Sequence, residues 1–155
     1  MKSARLAAAL CPALALVFAC AAHADGMAVP AHTPAAYTQE CSACHTAYPP
    51  GLLPAASWKR IMGSLDKHYG TDASLDDKAV AELSRWLQAN AGTYKRAVDT
   101  PDARITSAAW FVRKHREVEA HTWKLRSGGG PFNCTACHAG AVRGDFSERN
   151  VRIPK

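Results

Sequence analysis

The sequence predicts a mainly α protein of two small lobes, and three observations carry that reading. The pentapeptide Cys41-Ser42-Ala43-Cys44-His45 recurs in the second half as Cys134-Thr135-Ala136-Cys137-His138. Apolar residues return at helical intervals in three stretches between the two copies. No strand–helix–strand pattern surrounds either copy.

A C-x-x-C-H run is the attachment pattern of a c-type haem. Two thiols three positions apart can each add to one vinyl group of a single porphyrin, and the next residue then lies beneath the ring as proximal iron ligand. Cys41, Cys44, Cys134 and Cys137 are therefore the expected thioether positions, and His45 and His138 the expected proximal ligands of two covalently bound haem c groups. Each lobe becomes a small c-type cytochrome unit built around one haem. A zinc site made from the two cysteine pairs leaves the repeated His unexplained, and the pairs stand about ninety residues apart. A thioredoxin-like thiol centre lacks its surrounding fold.

Lys2 and Arg5 precede an apolar run from Leu6 to Cys20, and Ala22-His23-Ala24 has the form of a cleavage site. Residues 1–24 thus read as a secretory signal peptide, placing the mature chain in the periplasm. A lipoprotein reading at Cys20 is disfavoured by Phe18, where a small residue is wanted. Cleavage removes Cys11 and Cys20, and the four remaining cysteines are the two haem pairs. It also lowers the formal charge from +6 to +4, which haem propionates would largely offset, so nucleic-acid binding does not follow from the basic balance. No later apolar run approaches the roughly 20 residues needed to span a bilayer. Large apolar side chains are sparse in the mature chain, so folding is expected to depend on haem.

The division expected is residues 25–100 for the N-terminal haem lobe and 101–155 for the C-terminal one. Residues 25–40, with two prolines and little periodicity, read as an extended arm in which His32 is solvated. Pro49, Pro50, Gly51 and Pro54 force a loop that could wrap the haem edge. A helix is expected from about Ala55 to Tyr69, stopped by Gly70, with Trp58, Ile61, Leu65 and His68 on one face. His68 is the expected distal ligand of an iron. Met62 is its rival, about 120° around the helix, and otherwise fills a gap near Leu65.

Ser74 with Asp77 resembles a capping box for a helix from about Leu75 to Ala91, with Ala79, Leu83, Trp86 and Leu87 inward. Thr93 to Arg104 reads as the link between lobes. Thr106 or Ser107 is expected to cap a third helix, Ala108 to Ala120, on which Phe111, His115 and Val118 share a face. His115 is the expected distal ligand of the second iron, with His121 as rival. The tail after the second pentapeptide is expected to pack across that haem through Phe146 and Val151. Arg113, Lys114, Arg116, Lys124 and Arg126 form a basic cluster that could steer an acidic partner.

In combination, CSACHTAYPPGLLPAASW, IMGSLDKHYGTDASLD, RITSAAWFVRKHREV and NCTACHAGAVRGDFSERNVRIP resemble the bacterial dihaem cytochrome c family found with an oxygen-binding monohaem cytochrome, the sphaeroides haem protein. The resemblance implies bis-histidine haems in two domains, with His45 and His68 in the first part and His115 and His138 in the second. It also implies the monohaem cytochrome, and a membrane cytochrome b, as partners. The motifs do not assign each distal His to one haem, and EAHTWKLRSGGG has no counterpart in the resemblance, so His121 stays open.

The expected function is periplasmic electron transfer through two low-spin haems, without catalysis, because six-coordinate irons offer no vacant position. Two readings of other classes remain: a dihaem enzyme of peroxidase type, and a gas-binding cytochrome with one open iron.

Overall fold

The computed structural model describes Met27, residues 29–125 and residues 129–155. The expected signal segment, with Cys11 and Cys20, and also Arg126, lie outside the described residues. Four short helices, α1 (Ala35–Cys41), α2 (Ala55–Met62), α3 (Asp77–Ala89) and α4 (Ala109–Lys114), are joined by irregular segments and single 3-10 turns. Among the described residues, strand-like pairing is confined to two isolated bridges, His68 with Thr71 and His138 with Val151.

The arm expected over 25–40 contains a helix instead. Pro34 precedes α1, where its fixed φ suits a helix start, and Ala35 and Ala36 have high helix propensity. One aromatic rather than a periodic face anchors α1. Buried Tyr37 packs on Trp86 of α3, ring centres 4.8 Å apart, and donates to the Tyr48 carbonyl at 2.5 Å. Since α1 ends at Cys41, this packing fixes the first pentapeptide. His32 is exposed, as expected, and its carbonyl accepts from the Trp86 indole at 3.0 Å.

The inward face expected for α3 is present: Leu83 and Leu87 are each 1% exposed. They meet Tyr37, Leu53, Trp58 and Met62 in one cluster, each fully buried leucine contributing about 1.5–3 kcal/mol. The cap is Asp76, which accepts from the Ala79 amide, not Ser74. Ser74 is already turned aside, its amide bonded to the Asp72 carboxylate. The proline loop is locked rather than loose. The Trp58 indole donates to the Pro50 carbonyl at 2.7 Å, and the Gly92 amide to the Leu53 carbonyl at 2.9 Å. A Cβ at Gly92 would meet the Gly51 carbonyl oxygen at 2.2 Å, so only glycine allows this approach.

Two helices are shorter than expected. α2 stops at Met62, with Gly63 as C-cap; Ser64 leaves helical geometry and a 3-10 turn, Leu65–Lys67, follows. α4 stops at Lys114 and His115 caps it; in the turn after Phe111 only exposed Val112 is apolar, and Val118 lies beyond the helix. Thr106 and Ser107 do not cap α4. They lie in a preceding 3-10 turn, and the Ser107 hydroxyl donates to Asp102 at 2.6 Å.

The segment read as a link is clasped to the first half. Asp99 accepts from the Ser57 hydroxyl at 2.5 Å and from the Arg60 guanidinium at 2.6 and 3.0 Å. The Tyr69 hydroxyl is shared between the Asp102 and Ala103 carbonyls, both at 3.1 Å. Tyr69 and Ala103 adopt positive φ, 52° and 53°, a region costly for residues with a Cβ.

The Arg60 and Ser57 hydrogen bonds hold the Asp99 carboxyl at about 2. A depressed carboxyl stabilises the fold above its unfolded value, and that contribution is lost as pH falls through the folded one. Asp99→Asn is therefore expected to lower the melting temperature at pH 7. The gap from wild type should close between about pH 4 and about pH 2; thermal melts across that range measure it, and a gap independent of pH would contradict the clasp.

Candidate functional site

Each pentapeptide His faces one other histidine. His45 and His68 have ring centres 6.1 Å apart and planes inclined by 19°. His138 and His115 have ring centres 6.2 Å apart and planes inclined by 75°. An imidazole nitrogen lies about 2.0 Å from a bound metal and its ring centre roughly 1 Å further back, so two imidazoles on opposite sides of one iron have centres roughly 6 Å apart. Both pairs have the separation that an iron between them requires.

Neighbours orient these rings. His45 Nδ1 is 2.7 Å from the Thr46 carbonyl and His115 Nδ1 is 2.8 Å from the Phe111 carbonyl. When Nδ1–H donates to a carbonyl, Nε2 is left as the metal-binding nitrogen. Tyr48 stacks on His45 at 4.7 Å and 18°, and Tyr69 meets His68 edge-on at 4.9 Å. Phe111 stacks on His115 at 3.9 Å and 22°, and Phe146 meets His138 edge-on at 5.4 Å. His68 and His138 are half-buried, and burial first, then the facing histidine, lowers their affinity for a proton, which favours the neutral form a metal needs. His138 Nδ1 is buried without a hydrogen-bond partner.

The thiols fit attachment better than exchange chemistry. Burial, with Glu40 nearby, pushes the Cys41 thiol up to about 11, and burial likewise pushes Cys134 up to about 11. A redox-exchange centre needs a depressed thiol. Among the described residues no group of three or more His, Cys, Asp or Glu converges as a metal cluster, which leaves the zinc alternative without a site. The donor set, two facing imidazoles beside a Cys-x-x-Cys pair, fits haem in both halves.

The helical face expected to carry His68 needs correcting. That residue does not extend the α2 face: Gly63 ends that helix, and His68 reaches His45 from the following 3-10 turn. Met62 is 7% exposed within the core cluster, the gap-filling role. Val118 is off the helix with Phe111 and His115, its amide bonded to the His115 carbonyl in a turn. His121 is exposed and 3.2 Å from the Glu119 carboxylate. In the tail, Val151 bridges to His138, and the Arg152 amide donates to the Cys137 carbonyl at 2.9 Å.

Sequence reasoning passed over Tyr48. Its hydroxyl donates to the Phe132 carbonyl at 2.6 Å, across 84 residues. Burial, then Cys134 and Tyr69, raise the phenol well above its ordinary range, so it remains a donor. The one available signal was an aromatic three residues after the first pentapeptide, immediately before two prolines.

Residues 37–146 match the family model described as dihaem cytochrome c. A dihaem cytochrome c structure from Shewanella baltica OS155 is 38% identical, with a TM-score of 0.68, covering 79% of this chain and 95% of that one. A dihaem cytochrome c from Rhodobacter sphaeroides is 42% identical, with a TM-score of 0.66, covering 74% of this chain and 97% of that one. Comparison with curated protein sequences gave no match.

His121→Ala and Met62→Leu are expected to leave the visible spectrum of the purified protein unchanged. Met62→Leu should cost less than about 1.5 kcal/mol in denaturant unfolding, as a volume-conserving core exchange does. A spectral change in either variant would transfer a ligand role to that residue.

Proposed function

We propose that this chain, which belongs to the dihaem cytochrome c family, carries electrons through two haem irons each closed on both faces by imidazole. His45 and His68 hold the first iron, and His138 and His115 the second. Cys41 and Cys44, then Cys134 and Cys137, fix the porphyrins as thioethers. The observation that carries the reading is the near-equal separation of the two ring pairs, 6.1 and 6.2 Å.

Haem supplies a one-electron couple; the chain's residues decide what else can happen. A histidine on each side leaves no position for peroxide or a gas, so the peroxidase and gas-binding readings are set aside. Imidazole on both sides places the potentials below those of His/Met cytochromes c. The Nδ1 contacts of His45 and His115 keep those rings from turning and raise their basicity. Phe111, Phe146, Tyr48 and Tyr69 shield the imidazoles and lower reorganisation on electron transfer.

The setting proposed is the periplasm after removal of residues 1–24. The partner proposed is the monohaem oxygen-binding cytochrome, with a membrane cytochrome b on the other side of the chain of transfer. No helix among the described residues is long and apolar enough to cross a membrane. In the basic cluster, Lys114 pairs with Glu148 and Arg116 with Glu117. Among the described residues Arg113 and Lys124 have no ion pair, and they are the cations proposed to meet an acidic partner.

The two sites differ in a way magnetic resonance reads. Near-parallel imidazoles split the iron orbitals that accept their π density, whereas near-perpendicular ones leave them close in energy. The ferric protein is expected to show a rhombic low-spin signal from His45 and His68 and a more anisotropic one from His115 and His138. His115→Ala should abolish the second, create a high-spin centre that binds CO on reduction, and leave the first intact. A high-spin signal with exchangeable water in the wild type would replace the carrier reading with catalysis or ligand capture.

A further inference from the structure

We propose that Tyr48 couples the two haem sites, its ring lying against the proximal imidazole of the first and its hydroxyl bonded to the attachment loop of the second. The inference rests on the ligand assignment proposed above. The stacking distance to His45 is 4.7 Å and the hydrogen bond to the Phe132 carbonyl is 2.6 Å. Phe132 stands two residues before Cys134, so the path from the His45 imidazole to the second thioether consists of one stacking contact, one hydrogen bond and a short run of covalent bonds. Tunnelling falls off more slowly through bonds and hydrogen bonds than through gaps, and this path crosses a single gap, the ring stacking. In each transfer one electron leaves a ferrous centre and arrives at a ferric one; the phenol is neither oxidised nor deprotonated.

Assembly of the two halves does not depend on this hydroxyl alone. The Met27 amide donates to the Gly144 carbonyl at 2.9 Å, and a Cβ at Gly144 would meet the Met27 carbonyl oxygen at 1.8 Å. The second half is thus held against the first at a separate point. Tyr37 also fixes the Tyr48 backbone, by donating to its carbonyl at 2.5 Å. Phenylalanine at position 48 would keep the stacking on His45 and lose only the link to Phe132.

The test is interhaem electron exchange in the half-reduced holoprotein, read by NMR saturation transfer between haem methyl resonances, in wild type, Tyr48→Phe and Tyr48→Leu. Tyr48→Phe is expected to slow exchange several-fold while both low-spin signals and both midpoint potentials stay as in wild type. Tyr48→Leu should slow it further and alter the signal of the His45 site only. An unchanged rate in Tyr48→Phe overturns the proposal, and so does a slowed rate accompanied by shifted potentials at both sites, which a merely structural staple would produce. If Tyr48→Leu fails to incorporate haem, Tyr48→Phe decides alone. An unchanged rate removes the coupling and leaves the carrier reading standing; a high-spin iron in wild type removes the carrier reading itself.

Discussion

Two imidazoles proposed to hold one iron have to face each other across roughly 6 Å, and that constraint accounts for the breaks from regular structure around both histidine pairs. In the first half a continuous helix after Ala55 would carry His68 past His45. Gly63 and Ser64 break the helix, the 3-10 turn Leu65–Lys67 redirects the chain, and the His68–Thr71 bridge holds the turn. The cost appears at Tyr69, whose φ of 52° is in the left-handed region. Its hydroxyl on the 102–103 carbonyls and the Arg104 guanidinium 4.1 Å above its ring hold it there. A strained residue next to a proposed ligand is an expected place for such a cost to be tolerated.

The second half meets the same requirement by a different route. Its facing histidine comes before the pentapeptide instead of after it, and caps an α-helix where His68 caps a 3-10 turn. The hydrogen-bonded imidazole is His45, within the pentapeptide, in one half and His115, facing the pentapeptide, in the other. Each pair therefore contains one imidazole tied to a carbonyl and one held by packing, so ligand basicity alone would not separate the two potentials. Ring orientation differs between the sites, and so do the nearby charges, Arg104 by His68 and Asp145 by His138, both of which bear on potential.

The two pentapeptides were legible because two thiols three positions apart followed by an imidazole suit the two vinyl groups and the iron of a single porphyrin. Leu83 and Leu87 were legible because α3 is long enough for a 3.6-residue period to register. α1 was not, because its seven residues bury one large side chain, Tyr37, beside the small Ala36 and Cys41, too little for a period to register. The ends of α2 and α4 were missed for the opposite reason. An apolar pattern continued past the true terminus, in Leu65 after α2 and in Val118 after α4, but those side chains serve turns rather than a helical face. Tyr48 lay beyond sequence reasoning, since its hydrogen-bond partner is 84 residues away and no local pattern encodes that pairing.

The uneven distribution of packing bears on how the chain acquires its fold. The first half has a cluster of large buried side chains from α1, α2, α3 and the proline loop. In the second half, from α4 onward, the buried apolar residues are Phe111 and Ala141, and α4 is a six-residue helix. Such a helix is far too short to persist alone. Among the described residues the buried Trp110 Nε1 and His138 Nδ1 lack partners, against Thr46 Oγ1 alone in the first half, and each such group carries a cost. A porphyrin face lying between His115 and His138 would supply the apolar surface this half lacks, and its carboxylates could accept from a buried indole. On that balance the first half supplies more of its own core, whereas the second would gain more from the porphyrin proposed to lie in it.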